Sequence, residues 1–221
     1  MALTKHYFTK FEEGNFYHVY NRAVDRKPMF TEKGNYDFFM TRMEKYLIPY
    51  LDVYAFCLLD NHFHLLVKIK ELQKDLKNDS ATLKELPTVE LPTVELPNLK
   101  PASMIVSAAF RKMFQSYAMA FNKQENRIGT LFQEPFKRNL INSEEYLFQL
   151  IHYIHFNPQK HGLVSDFRDY SYSSFPYYMI KKFGNWVHEE MYELFGGYEQ
   201  FIEFHNNFPH NPDKKYGIEN E

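Results

Sequence analysis

Two histidines separated by one residue form the pattern in this sequence best suited to binding a metal ion. His62 and His64 follow the turn-forming pair Asp60-Asn61 and open a short apolar run over residues 62–69, which predicts a β-strand. Residues i and i+2 of a strand point to the same face, so both imidazoles are expected to reach one divalent cation. A chain with ten histidines also produces such a pair without any function, so a structural role stays open.

A tyrosine and an asparagine one helical turn apart supply the second group of reactive side chains. Tyr153 and Asn157 are spaced i, i+4 in a segment with helical periodicity, so both lie on one helix face. Asn157 offers a carboxamide oxygen as a third metal ligand, and the phenol of Tyr153 can act as a covalent nucleophile. A free phenol has a pKa of about 10 and needs a base, metal or cation nearby to react at neutral pH. Tyr153 is also one of 17 tyrosines and could simply pack the helix.

The elements that must position these residues follow from the periodicity of apolar side chains. The predicted order is β-α-β-β-α-β-α, which is typical of an α+β, ferredoxin-like (RRM-like) antiparallel sheet with helices on one face. The opposite face is then free to hold a site. The strands are predicted over 15–24, 52–59, 62–69 and 134–141, and the helices over 31–48, 102–124 and 143–156.

Three local signals set the predicted helix boundaries. Thr31 is expected to cap the first helix, and Asn142 with Glu145 resembles a capping box at the start of the third. Pro158 disfavours helical geometry at the preceding residue and is expected to mark the end of that helix.

Two segments differ from the rest in composition. Residues 71–100 contain LPTVE twice and a third Leu-Pro, and proline every five residues blocks both helix and central strand. We predict an extended, mobile insert there, within a domain over residues 1–182. Residues 183–221 carry eight acidic and two basic side chains, and Gly196-Gly197 separates two short helices, which predicts an acidic helical extension.

Composition and charge limit the class of protein. The chain has 221 residues, of which 44% are hydrophobic, enough for one domain with a real core. Cys57 is the single cysteine, which excludes an intramolecular disulfide and a cysteine metal cluster. No apolar run could span a membrane or act as a signal peptide, so we expect a cytoplasmic protein. The net charge of −2 conceals 11 basic against six acidic residues over 98–182.

Five motifs in a fixed order resemble the single-tyrosine HUH transposases, in particular the branch of REP-associated tyrosine transposases. The resemblance covers roughly residues 14–70 and 101–180. The motifs are residues 17–22 (YHVYNR), 61–66 (NHFHLL), 129–137 (GTLFQEPFK), 153–164 (YIHFNPQKHGLV) and 170–174 (YSYSS).

The resemblance implies a specific chemistry. Tyr153 would attack a phosphodiester of single-stranded DNA, form a 5′-phosphotyrosine bond and free a 3′-hydroxyl, which can later reverse the step without ATP. A divalent ion, Mg²⁺ or Mn²⁺ by the same resemblance, would be held by His62, His64 and Asn157. The wider family often has glutamine where this chain has Asn157. Imidazole ligands by themselves favour softer ions, so the residues alone leave the metal undecided.

The implied partner is single-stranded or hairpin DNA, bound by a monomer or a homodimer. Basic side chains would contact phosphates, and Phe114 and Phe136 could stack on unpaired bases. The alternative is that these aromatic rings belong to the core and that the cations are solvated. The candidate DNA contacts are Arg22, Arg111, Lys112, Lys123, Arg127, Lys137 and Arg138.

Two other functions stay open from the sequence. A domesticated relative could bind hairpin DNA without strand transfer. A metal-dependent phosphodiesterase could use water as the nucleophile, with Tyr153 only structural.

Overall fold

A computed structural model describes residues 9–72, 101–182, 184 and 187–208 of the chain. The predicted insert lies outside the described residues except for its first two positions. Four strands form one antiparallel sheet in the order β2-β3-β1-β4. The strands are β1 (Phe16–Arg22), β2 (Leu51–Leu58), β3 (His62–Ile69) and β4 (Lys137–Leu140). The helices are α1 (Lys33–Tyr46), α2 (Ala102–Gln124), α3 (Glu144–Lys160), α4 (Phe175–Met179), α5 (Glu190–Phe195) and α6 (Tyr198–Asn207).

One face of the sheet packs against α1 and α2 through a large apolar core. Alternate residues of β3, Phe63, Leu65 and Val67, point into this core because successive side chains of a strand point to opposite faces. Phe39 of α1 and Phe110 of α2 are fully buried against them. This arrangement confirms the predicted α+β fold class.

The sequence predicted that the opposite face of the sheet is free, but the structure shows it covered in part. Helix α3 and the C-terminal helices form a second core with the β2–β3 half of the sheet, which includes Cys57 and Leu66. Leu150 and Ile154 of α3 are fully buried in it, as is Phe201 of α6. The apolar side chains on this face need a cover, and α3 supplies it. Beyond this cover the side chains of β4 are half-buried, and His18 and Tyr20 of β1 are buried.

The register of the central strands decides which polar residues share the second face. Tyr20 of β1 lies opposite His64 of β3, and Arg22 lies opposite His62. Since the pleat repeats every two residues, His18 lies on the same face as Tyr20.

The helix boundaries differ from the local signals at three points. Glu32, not Thr31, caps α1 in a reciprocal capping box. The hydroxyl of Ser143, not Asn142, accepts the Tyr146 N–H at the start of α3. Helix α3 continues through Pro158 to Lys160, because proline removes only one hydrogen bond from a helix whose apolar face is already buried.

Strand β4 is shorter than the predicted span of 134–141. Pro135 has no N–H to give to a ladder, and pairing begins only at Lys137.

The C-terminal segment contains two short helices divided by Gly196 and Gly197, as predicted. Gly196 has a φ of 81°, a left-handed conformation that glycine adopts without steric cost, and it ends α5. A buried polar network ties α6 to α3, since His155 is within hydrogen-bonding distance of both His205 and Ser174, at 2.8 Å each. The division at residue 183 into a domain and an extension stays a prediction. Within the described segments, every helix is too short or too polar to cross a bilayer.

The packing of α3 on the sheet can be tested with two leucine substitutions. Leu150→Ala should lower the free energy of unfolding by about 2–5 kcal/mol, because it leaves a cavity in the second core. Leu163→Ala, in a residue that is 41% exposed, should change it by less than about 0.5 kcal/mol. Equilibrium urea unfolding followed by circular dichroism measures both. Equal effects of the two substitutions would contradict the packing.

Candidate active site

The two imidazoles predicted to be neighbours lie side by side on the second face of the sheet. The rings of His62 and His64 have centroids 5.2 Å apart, and each side chain is at most 4% exposed. They are the first and third residues of β3, directly after the hairpin turn that joins β2 to β3. The strand therefore delivers both imidazoles to one side of the sheet, as the spacing predicted.

Each imidazole has a partner at its Nδ1 atom. His62 Nδ1 donates to Asn61 Oδ1 at 2.6 Å, and the amide of the same Asn61 donates to the Arg26 carbonyl at 3.0 Å. His64 Nδ1 lies 3.0 Å from Nε2 of His18, a buried side chain on β1. A histidine that binds metal through one nitrogen usually has its other nitrogen held by a hydrogen bond of this kind.

Burial keeps these imidazoles neutral. Desolvation lowers the pKa of His18 to about 3. Desolvation also lowers the pKa of His62 to about 3, assisted by His161, Arg22 and Lys160. Desolvation likewise holds the pKa of His64 well below its ordinary value. Only the neutral imidazole has a lone pair to give to a metal, so the electrostatics suit metal binding near neutral pH.

Helix α3 brings Tyr153 to the histidine pair. The Tyr153 ring meets His64 edge to face, with centroids 5.3 Å apart. Lys160, two turns along the helix, places its ammonium group 4.9 Å from the centre of the Tyr153 ring. His161 follows the helix and lies with its ring 4.9 Å from that of His62. The structure thus joins side chains that are about 90 residues apart in sequence.

Asn157, the predicted third ligand, has a buried carboxamide group. Its side chain is fully buried, and neither carboxamide atom has a hydrogen-bond partner among the described residues. A buried polar group in this state costs about 1–3 kcal/mol, a cost that a bound cation would remove. No three His, Cys, Asp or Glu side chains group as a metal site within the described segments. The predicted set of His62, His64 and Asn157 contains only two such residues.

A small pocket opens beside the histidines. Its volume is about 30 Å³, and Arg22 and Lys137 stand in its wall with both imidazoles. Lys137 also lies 5.4 Å from the centre of the Tyr20 ring, the side chain opposite His64. Two of the seven predicted DNA contacts therefore lie at the site. Tyr153 is 3% exposed and does not line this pocket, so a strand that reaches it must displace covering side chains.

The other five candidate DNA contacts lie elsewhere. Arg138 turns to the first face, where it donates to the Thr9 carbonyl at 2.6 Å and to the Ser107 hydroxyl. Arg127 donates to the Asn122 side chain at 2.9 Å. The remaining three, Arg111, Lys112 and Lys123, are exposed on α2.

The two aromatic candidates have different environments. Phe114 is buried among Phe110, Phe132 and Phe136 and belongs to the core, as the alternative interpretation held. Phe136 is partly exposed and lines a cleft of about 840 Å³ between α2 and the segment before β4. Arg111 lines the same cleft.

Three contributors at the site were not assigned a role from the sequence. His18 and Asn61 hold the imidazoles, and Lys160 lies over the tyrosine. The alternation of β1 would have placed His18 on the same sheet face as His62 and His64, had the register between β1 and β3 been known. The Lys160 position depends on the continuation of α3 past Pro158, against the local signal.

A curated protein of Haemophilus influenzae, named as a REP-associated tyrosine transposase, is 28% identical over 167 residues, which are 66% of this chain and 82% of that protein. This chain resembles the REP-associated tyrosine transposases. The sequence comparison therefore confirms the resemblance drawn from the five motifs. No protein-family model matches the chain.

A solved structure shares the fold. It is the structure of a REP-associated tyrosine transposase bound to a REP hairpin, and it covers 86% of this chain and 93% of its own, with a TM-score of 0.55. At 16% sequence identity, this likeness supports the antiparallel sheet and its helices, and no more than the fold.

The lowered histidine pKa values predict that acid destabilises the metal-free protein. Unfolded histidine takes up a proton near 6.5, whereas folded His18 and His62 do so only near 3, so their stabilisation is lost as pH falls through this range. Between about pH 7.5 and about pH 5, the contribution of each of these two histidines to the free energy of unfolding should fall by roughly 2 kcal/mol. Urea unfolding at both pH values measures this, and His18→Gln should show a smaller difference. Equal stability at the two pH values would contradict the assignment.

Proposed function

We propose that the protein is a transposase-type DNA strand transferase that cleaves and rejoins single-stranded, hairpin-containing DNA through a 5′-phosphotyrosine at Tyr153. The observation that carries this proposal is the contact between Tyr153 and His64, with His62 beside them. A phenol packed against a pair of neutral imidazoles combines a covalent nucleophile with metal ligands in one place.

The covalent step uses residues of this chain. The Tyr153 oxygen attacks the scissile phosphorus, the bond from phosphorus to the 3′ oxygen breaks, and the proton lost by the phenol balances the one gained by the 3′-hydroxyl. Lys160, whose ammonium lies over the Tyr153 ring, would stabilise negative charge on the phenolate oxygen. The phosphotyrosine keeps the energy of the phosphodiester, so a 3′-hydroxyl can reverse the step and join strands.

The proposed reaction would use a divalent ion. Nε2 of His62 and of His64 and the carboxamide of Asn157 would hold it, consistent with the neutral imidazoles and the unsatisfied buried amide. When bound, Mg²⁺ or Mn²⁺ polarises a non-bridging phosphate oxygen.

DNA would enter at the small pocket beside the histidines. Arg22 and Lys137 frame the pocket beside the histidines and would neutralise phosphates next to the scissile bond. The REP hairpin bound by the structural neighbour makes hairpin DNA the favoured substrate. We place this reaction in the cytoplasm, and a monomer or a homodimer would carry it out.

The burial of Tyr153 favours a second candidate, a hairpin-binding protein without strand transfer. A phenol that is 3% exposed reaches a phosphorus only after its cover moves. If no strand produces that movement, the fold binds DNA and leaves it intact.

The covalent adduct is the direct test. We expect the protein, incubated with single-stranded hairpin DNA and Mn²⁺, to give an adduct on a denaturing gel that disappears in Tyr153→Phe. Tyr146→Phe, a change of the same kind in a buried tyrosine of α3, is the matched control and should retain the adduct. Binding without adduct or cleavage would support the hairpin-binding candidate instead. Cleavage that survives Tyr153→Phe would support water as the nucleophile.

The entry path gives a prediction of its own. Arg22→Gln and Lys137→Gln should each weaken hairpin binding and reduce the slope of log affinity against log salt by about one, since each removes one phosphate contact. Lys45→Gln, on the exposed surface of α1 on the other side of the sheet, should change neither quantity. Fluorescence anisotropy across a salt series measures all three. The same slope in every variant would place the DNA elsewhere.

A further inference from the structure

The partner of His64 is another imidazole, which is an ambiguous hydrogen-bonding group. His18 lies on β1, is 1% exposed, and places Nε2 at 3.0 Å from Nδ1 of His64. The rings are nearly parallel, at 23°, with centroids 5.3 Å apart. Both side chains are neutral, so one nitrogen of this pair carries the shared proton and the other accepts it.

The neighbouring imidazole has no such ambiguity. The Asn61 amide nitrogen donates to the Arg26 carbonyl, which turns its Oδ1 toward His62. A carboxamide oxygen only accepts, so His62 must carry its proton on Nδ1. Nε2 of His62 then has its lone pair in the plane of the ring, available to a cation.

His64 can share a cation with His62 only in the same tautomer. If His18 donates to His64 Nδ1, the proton of neutral His64 sits on Nε2, and that nitrogen has no lone pair to give. If His18 accepts instead, the Nε2 lone pair of His64 is available. The arrangement in which His18 donates is therefore metal-incompetent, and the one in which His18 accepts is metal-competent.

We propose that His18 is a positioning residue, which accepts the Nδ1 proton of His64 and so fixes the tautomer in which Nε2 can bind the metal. The inference rests on the proposed metal site and adds a residue to it. In the competent arrangement the proton of His18 is on Nδ1, an atom that has no hydrogen-bond partner among the described residues. Since that atom has no hydrogen-bond partner in either arrangement, a cation at Nε2 of His64 is what favours the competent one.

Metal affinity without DNA is the first test. His18→Leu removes the acceptor, and Mn²⁺ affinity measured by titration calorimetry should fall about 10- to 100-fold. His18→Gln supplies an amide oxygen that can accept the same proton, and its affinity should stay within about threefold of wild type. The melting temperature of each metal-free variant checks that it folds. Unchanged affinity in His18→Leu would overturn the role of His18 and leave the metal site intact.

The tautomer itself is the second test, and a merely structural role would not produce its result. Nitrogen-15 NMR of the wild-type protein saturated with Mg²⁺ should show His64 protonated at Nδ1 and His18 protonated at Nδ1. A His64 protonated at Nε2 would overturn the proposal even if His18→Leu failed to fold. A wild-type protein that binds neither Mn²⁺ nor Mg²⁺ would overturn the metal site and this role together. Neither the metal affinity nor the tautomer measurement uses DNA. A failure of strand transfer at Tyr153 would therefore leave both results unchanged and can be distinguished from a failure of this proposal.

Discussion

Burial of neutral imidazoles on one sheet face is the constraint on which the rest of the site depends. His62 and His64 can be neutral there because desolvation opposes protonation, and each can be buried because its Nδ1 atom has a partner. Asn61 and His18 supply those partners from the hairpin turn and from β1. The strand pairing that sets the fold therefore also buries these imidazoles, which lowers their pKa values as the proposed chemistry requires.

The position of Tyr153 depends on a different set of contacts, made by α3. Leu150 and Ile154 pack the helix on the β2–β3 half of the sheet, and the His155–His205 contact joins it to α6. The sheet on one side of α3 and α6 on the other therefore fix the helix in the position where the Tyr153 ring contacts His64. This anchoring explains why residues on two distant segments meet, and also why Tyr153 is covered in this structure.

Periodicity was enough to predict the fold class and the pairing of His62 with His64, because both depend on alternation within single segments. The bounds of α2 followed from its apolar stripe. Features set by distant partners could not be predicted in this way. Local rules end α3 before Pro158, but tertiary packing extends it, and this places Lys160 over Tyr153. The hydrogen bond from Arg138 to the Thr9 carbonyl joins segments 129 residues apart and has no local signal either.

The central claim is that His62, His64 and Asn157 surround one ion next to Tyr153. Anomalous diffraction from crystals grown with Mn²⁺ tests it most directly. The account predicts a single strong peak within bonding distance of Nε2 of both histidines and of the Asn157 carboxamide oxygen. A peak bound to any other side chains, or no peak near the histidine pair at saturating Mn²⁺, would contradict it.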